Sequence, residues 1–337
     1  MFILSKEWAR HGKSSGYQRI SEYFSIPFSY AKSFKIFFFI SEYLKKKTRI
    51  KNYQSNTLSK ECVLLFKIFT AKTIYVQYGD MDFYYLHYLK KFPFNLRKNT
   101  LIVTFHHPPY ELEDRLNYDR EKVLGAIDKI IVMGRNQIPF FKKYSNAEIK
   151  FIPHGINLEY FHLDKNIPRK NQIVLVGTSH RDHNRNIQII KNLNGKRSVQ
   201  FKIVMFKDHA INYEGLKNVE LITSNISDKK LLKLYQSSKA MLMSLKDCTA
   251  SNAILESMAS GCPVVINNVG AVRDYFFDDN IKVFNTNDIN GTIEYIERLL
   301  DDESFLFEEM HKQIKLVKFY DWKSIALKTE KFILNER

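Results

Sequence analysis

The chain has 337 residues, 45% of them apolar, and a formal net charge of +16. That length suits about two domains with real cores, and no stretch approaches the ~18–20 consecutive apolar residues of a membrane span. Three cysteines, Cys62, Cys248 and Cys262, are an odd number without metal-ligand spacing, which argues against a disulfide scaffold or a zinc site and for a reducing compartment.

Residues 1–5 are apolar only briefly before Lys6, Glu7 and Arg10, so no secretory leader is expected and the chain reads as cytoplasmic. After this first short strand, Ser14-Ser15-Gly16-Tyr17 opens a helix, where a glycine allows close backbone approach to a ligand. Basicity follows. Residues 1–150 hold 26 Lys and Arg against 13 Asp and Glu, leaving 26 against 23 in the rest. The cations gather around Lys32-Ser33-Phe34-Lys35-Ile36-Phe37-Phe38-Phe39 and around Lys45, Lys46, Lys47, Arg49 and Lys51. Each cation beside an anionic leaflet contributes about 1 kcal/mol, and aromatic side chains favour the interface, so this stretch is a membrane-surface or acceptor patch. The bland alternative is a buried helix with a solvated lysine tail.

Further along, strands expected at 73–77, 100–105 and 129–133 alternate with helices at 83–91, 111–126 and 136–144. The second half repeats the pattern, with strands at 173–176, 201–206, 219–222, 240–244 and 264–266 and helices at 184–194, 228–236, 251–260 and 289–300. Such alternation predicts an α/β chain with parallel sheets covered by helices. Ligands of these sheets bind beyond the carboxyl ends of the strands, where Gly16, His106, Arg181 and Glu256 all fall. The strand at 100–105 ends in His106-His107-Pro108-Pro109, a stiff loop with two histidines. Polar residues 162–171 are the expected hinge.

The most informative run is 247–275. It reads as a polar loop, a helix carrying Glu256, a Gly261-Cys262-Pro263 turn, a buried strand, and a loop opening at Asn267. Backbone N–H groups at the helix start, around Asn252, Ala253 and Ile254, suit a phosphate. Glu256, one turn on, suits a pair of vicinal hydroxyls, which a carboxylate binds more strongly than a neutral group.

Glu256, Met258-Ala259, Gly261, Pro263-Val264 and Val269-Gly270, together with the earlier Pro153-His154-Gly155-Ile156-Asn157 and Phe161, resemble the retaining glycosyltransferases of family 4. The resemblance implies the GT-B fold, two Rossmann-like domains facing across a cleft. It implies an acceptor-binding domain over 1–160, a nucleotide-sugar domain over 171–318, and a terminal helix over 319–337 that returns to the first domain. One element departs from the family pattern. Its first glutamate would fall at Cys248, and Asp247 is the nearest carboxylate.

By the same resemblance, Glu256 holds the ribose and Asp247 or the Asn252 region the donor sugar. Arg181, with Arg185 the candidate for a second cation, Gly16 and the helix start before Glu256 stabilise the leaving diphosphate with no metal and no other cofactor. His106 or His107 orients the sugar or acceptor hydroxyl. The reaction so implied moves a sugar from a nucleoside diphosphate sugar to a hydroxyl of a glycan or lipid-linked acceptor, with retention; the basic first half adds the expectation of surface polysaccharide or lipopolysaccharide assembly on the inner face of the cytoplasmic membrane. Alternatives on the same architecture are a nucleotide-sugar epimerase and a non-catalytic partner. A nucleic-acid-binding protein is the rival outside this class; no recognisable nucleic-acid module is present, so nucleic acid is not expected as a partner.

Overall fold

The computed structural model describes all residues except 6–13, 35–37, 49–52, 68–70, 92–98, 117–118, 224–225 and 336–337. The chain divides into two compact units. One comprises 1–8, 17–153 and 325–337, and the other 9–16 and 154–324.

The first unit is built on six parallel strands, β1 (Phe2–Leu4), β2 (Ser29–Tyr30), β3 (Thr73–Val76), β4 (Thr100–Phe105), β5 (Lys129–Val132) and β6 (Glu148–Phe151), in the order β2-β1-β3-β4-β5-β6. The central strands β3, β4 and β5 are apolar runs buried along their length, as a sheet covered on both faces requires. Helices α1 (Phe38–Lys45), α2 (Ser55–Lys67), α3 (Gly79–Asp82), α4 (Pro109–Arg115), α5 (Arg120–Leu124) and α6 (Ile138–Tyr144) connect them. The single helix expected at 111–126 is two short ones, because the chain turns at Asp119 with φ of 49°. The helix expected at 83–91 is a 3-10 segment, Tyr85–Lys91. Its start is capped by the buried carboxylate of Glu61 on α2, which accepts from the backbone N–H groups of Tyr84 at 2.8 Å, Tyr85 at 3.1 Å and Leu86 at 3.2 Å. Tyr53 donates its hydroxyl to the same group. Burial pushes the Glu61 carboxyl up to about 7, against these hydrogen bonds.

The second unit has five parallel strands, β7 (Lys170–Val176), β8 (Gln200–Val204), β9 (Val219–Ile222), β10 (Ser238–Met243) and β11 (Val264–Ile266), in the order β11-β10-β7-β8-β9. Around them lie α7 (His183–Lys196), α8 (Lys207–Ala210), α9 (Asp228–Gln236), α10 (Asn252–Ala259), α11 (Val272–Tyr275), α12 (Ile289–Asp301) and α13 (Glu303–Val317). Two cores result. Met241, Met243, Leu255, Met258 and Tyr275 pack on one side of the sheet, and Leu175, Ile189, Phe201, Ile203 and Ile296 on the other.

The boundary between units lies at Pro153 and His154, not at 160. The reason is local. Ile156 donates its backbone N–H to Tyr320 at 2.8 Å, Gly155 lies against the Trp322 ring, and Phe161 is buried in the second unit's core. The expected hinge over 162–171 is likewise tied into this unit, since Arg169 donates to the carbonyls of Tyr235, at 3.1 Å, and Ser238. The last helix, α14 (Trp322–Leu334), begins in the second unit, and from Ile325 onward it belongs to the first. There Glu330 accepts from the backbone N–H groups of Ser25 at 2.6 Å and Ile26 at 2.8 Å, and Lys129 donates to the Phe332 carbonyl. Among the described residues, no helix is long and apolar enough to cross a membrane.

Candidate active site

Glu256 lies midway along α10, a helix buried over most of its length because it packs between sheet and α13. Its carboxylate is itself buried. Oε1 accepts a hydrogen bond from the Ser15 hydroxyl at 2.6 Å, and Oε2 accepts from the Tyr235 hydroxyl at 3.2 Å. Asn252, the first residue of α10, donates its side-chain amide to the Ser15 oxygen at 3.2 Å. Ser14 donates its backbone N–H to Asp228 at 2.9 Å, and Gly16 turns with φ of 101°, a conformation natural only to glycine. Burial is the largest influence on Glu256 and pushes its carboxyl up to about 7, opposed by the bonds from Ser15 and Tyr235. Glu256 thus already accepts hydroxyl hydrogen bonds on both oxygens.

The start of α10 carries no side-chain cap, with Ser251 in an extended conformation. The first turn, Asn252, Ala253 and Ile254, therefore presents the positive end of a helix dipole beside the Ser15 loop.

The loop that follows β10 is held to the loop that follows β11. Ala271 donates its backbone N–H to the Cys248 carbonyl at 2.8 Å, and Asn267 bonds both backbone groups of Leu245, at 2.7 and 2.8 Å. Gly270 has φ of 53°, and a Cβ there would lie 2.1 Å from an Asp247 oxygen and 2.4 Å from the Cys248 carbonyl. Asp247 accepts from the Cys248 N–H at 2.7 Å. Cys248, at the position of the family's first glutamate, is buried, and burial pushes its thiol up to about 12. Asp247 therefore brings a carboxylate to this loop, against the Gly270 turn.

The two arginines are placed differently from the expectation. Arg181 turns its guanidinium inward, donating to the carbonyls of Val176 at 2.6 Å and Ser179 at 2.8 Å. The tight loop between β7 and α7, with positive φ at Gly177 and His180, points these carbonyls inward, where they need donors. Burial lowers the Arg181 guanidinium to about 10. Arg185 reaches α12 instead, donating to the Thr292 hydroxyl at 2.8 Å and the Asp288 carbonyl at 3.3 Å.

In the first unit, His106 stands at the end of β4. Its Nε2 is 2.8 Å from the Gln77 carbonyl, its ring stacks on Tyr78, and Tyr17 meets it edge-on. Burial lowers its basicity, so it is a neutral imidazole at neutral pH. His107 pairs with Glu111 through Nδ1 at 2.6 Å. Asp80 fixes both residues by accepting their backbone N–H groups, at 2.8 and 3.2 Å. Of the basic patch, Lys46 and Lys47 are exposed and Lys45 is half-buried, while Arg49 and Lys51 lie outside the described residues.

Ser15, Tyr235 and Asp80 were not singled out from sequence as site residues, whereas Asn267 was read as the opening of its loop. Ser15 adjoins the glycine that was, and Tyr235 ends a helix whose bounds were legible, but only the fold brings them to Glu256.

Residues 162–318 match the family described as Glycosyl transferases group 1. No curated protein matches the chain. Among solved structures, the chain is similar to sucrose-phosphate synthase from Thermosynechococcus elongatus (17% identity, 83% of this chain and 77% of that one, TM-score 0.65). It is also similar to an alpha,alpha-trehalose-phosphate synthase (UDP-forming) from Burkholderia vietnamiensis (11% identity, 83% and 76%, TM-score 0.66). A third is a mutant form of TarM from S. aureus in complex with fondaparinux, alpha-GlcNAc-glycerol and UDP (16% identity, 83% and 59%, TM-score 0.62). Residues 162–318 are a glycosyl transferases group 1 domain, and the chain that carries it is a glycosyltransferase of the GT-B fold.

Proposed function

We propose that the chain transfers a sugar, with retention of configuration, from a nucleoside diphosphate sugar to a hydroxyl of a glycan or lipid-linked acceptor in surface polysaccharide or lipopolysaccharide assembly. The observation that carries the donor half is the buried Glu256 carboxylate, already accepting hydroxyl hydrogen bonds one turn beyond the uncapped start of α10. A ribose offers two vicinal hydroxyls to such a carboxylate, and the diphosphate finds a helix N-terminus. The TarM structure containing UDP, on a similar fold, supports a nucleotide ligand of this kind.

In this reading negative charge grows on the diphosphate as the glycosidic bond breaks. Asn252 and Ala253 at the α10 start and the Gly16 loop stabilise it through backbone N–H groups, while Ile254, whose N–H donates to the Ser251 carbonyl at 3.2 Å, closes the turn that aims them. Arg181 acts from beneath its loop, fixing the loop's shape and adding a positive field, and Arg185 braces α7 against α12. No metal or other cofactor enters. Asp247, backed by Gly270, takes the donor sugar, and the neutral His106 imidazole orients the sugar or acceptor hydroxyl, with His107 beside it. The lipid-linked acceptor is supported by the basic first half, as is residence at the inner face of the cytoplasmic membrane.

The test is product analysis by mass spectrometry and NMR with a panel of nucleotide sugars, with and without lipid-linked acceptors. An acceptor-dependent glycoside with the donor's anomeric configuration supports the proposal. Conversion of the donor alone to an epimer, or no consumption of any donor that the protein binds, overturns it in favour of the epimerase or the non-catalytic partner.

A further inference from the structure

The sequence leaves open whether the aromatic run before Lys45 is a buried helix. In the structure α1 has two distinct sides. Ser41 is fully buried, Leu44 packs against the first unit's core, and Glu42 accepts a hydrogen bond from Ser55 of α2. On the other side Phe39 is 82% exposed, Ile40 54% and Tyr43 63%. Positions 39, 40 and 43 share one helical face. Exposed large apolar side chains are ordinary when scattered singly, but a contiguous set on one short helix marks an interaction surface.

Charge identifies the partner. Lys46 and Lys47 follow the helix directly and are exposed, and the Lys47 ammonium stands 5.0 Å from the centre of the Tyr43 ring. Lys32 and Phe34 just upstream are exposed as well. The only acid on α1 is Glu42, which is occupied by Ser55. Aromatic and aliphatic side chains flanked by cations match the boundary between acyl chains and anionic headgroups. Ile40 offers no π-face to a nucleobase, and the exposed rings are interrupted by it, which does not suit a nucleic-acid stacking platform.

We propose that the outward face of α1, Phe39, Ile40 and Tyr43 with Lys46 and Lys47, docks on an anionic lipid leaflet. This deepens the reading of a lipid-linked acceptor, yet its test needs no sugar transfer.

The test is co-sedimentation of the full chain with phosphatidylcholine vesicles with and without phosphatidylglycerol, at low and high salt. The chain should bind the anionic vesicles and lose that binding as salt rises. Lys46→Glu with Lys47→Glu should lower binding by at least about tenfold, and Phe39→Ser with Tyr43→Ser by a similar factor. Each variant is checked for an unchanged melting temperature; all the changed side chains are exposed. Equal binding by wild type and both folded variants, or no preference for anionic vesicles, would overturn the proposal. So would loss of vesicle binding in favour of a structureless RNA oligomer. Failure of sugar transfer would leave the vesicle result standing, so the two readings fail separately.

Discussion

Ser15 occupies the Oε1 oxygen of Glu256, its hydroxyl donating at 2.6 Å. A ribose hydroxyl that approaches the same oxygen competes with it. Removing the competitor therefore favours the nucleotide, since a neutral hydroxyl bond of this kind contributes net about 0.5–1.5 kcal/mol. At about pH 9, well above the Glu256 value of about 7, so that the carboxylate stays ionised without the Ser15 bond, Ser15→Ala should tighten nucleoside diphosphate binding by roughly 2- to 10-fold in calorimetric titration. A loss of affinity would instead make Ser15 a ligand of the nucleotide.

Glu256 binds hydroxyls best when ionised, and burial holds its carboxyl near 7 in the free protein. Nucleotide affinity should therefore rise with pH through about 7 and level off above it. Tyr235 donates to the ionised carboxylate and lowers its pKa, so Tyr235→Phe should move this rise to higher pH. A packing role alone would weaken binding equally at every pH. Titrations between pH 5.5 and 9, a range spanning the value of about 7, separate the two.

Gly270 carries the turn that packs the loop after β11 against Asp247 and Cys248. Its φ of 53° is strained for any side chain, and a Cβ would sit within 2.6 Å of three atoms of those two residues. The left-handed conformation alone costs about 1–2 kcal/mol, to which the clash with backbone adds. Gly270→Ala should lower the melting temperature by at least ~2–4 °C and abolish transfer. An active, equally stable variant would remove the Asp247 loop from the proposed site.

Glu61 offers a test of stability in the other unit. Its ordinary value of 4.5 is pushed up to about 7 by burial, so between these values the folded chain holds a proton that the unfolded chain has released. Its contribution is fully present below 4.5 and is lost as pH rises through about 7. Glu61→Gln, neutral at all pH values, should flatten the fall in melting temperature between pH 5 and pH 8 on either side of about 7. An identical slope in wild type and variant would show that the group does not titrate as described.

Much of this was legible in sequence, and the omissions have physical causes. The strands at 100–105, 219–222 and 264–266 and the helix at 228–236 coincide with the structure, because each is a bounded apolar run or an amphipathic repeat. The segment 111–126 reads as one helix since nothing in its composition forbids it, yet α4 ends with its C-cap at Leu116 and Asp119 is left-handed just before α5. Helices α2 and α13 were not anticipated, the latter despite Asp302, which caps its start by accepting from Phe305 at 2.9 Å. Glu256 was visible through its surrounding pattern. Its partners Ser15 and Tyr235 were not, being 241 and 21 residues away. The inward turn of Arg181 depends on the carbonyls of Val176 and Ser179, and no side-chain pattern reports on backbone acceptors.

The most direct measurement of the central claim is binding of UDP, GDP and ADP to wild type and Glu256→Gln, followed by thermal shift and calorimetry at fixed salt. One nucleoside diphosphate should stabilise the wild type, by about 2.7 kcal/mol at 100 times its dissociation constant. Loss of charge-assisted bonds worth about 1.5–3 kcal/mol should weaken it roughly 10- to 100-fold in Glu256→Gln. Equal affinity in both proteins, or no binding to a folded wild type, would contradict the assignment of the buried Glu256 carboxylate as the donor-nucleotide anchor.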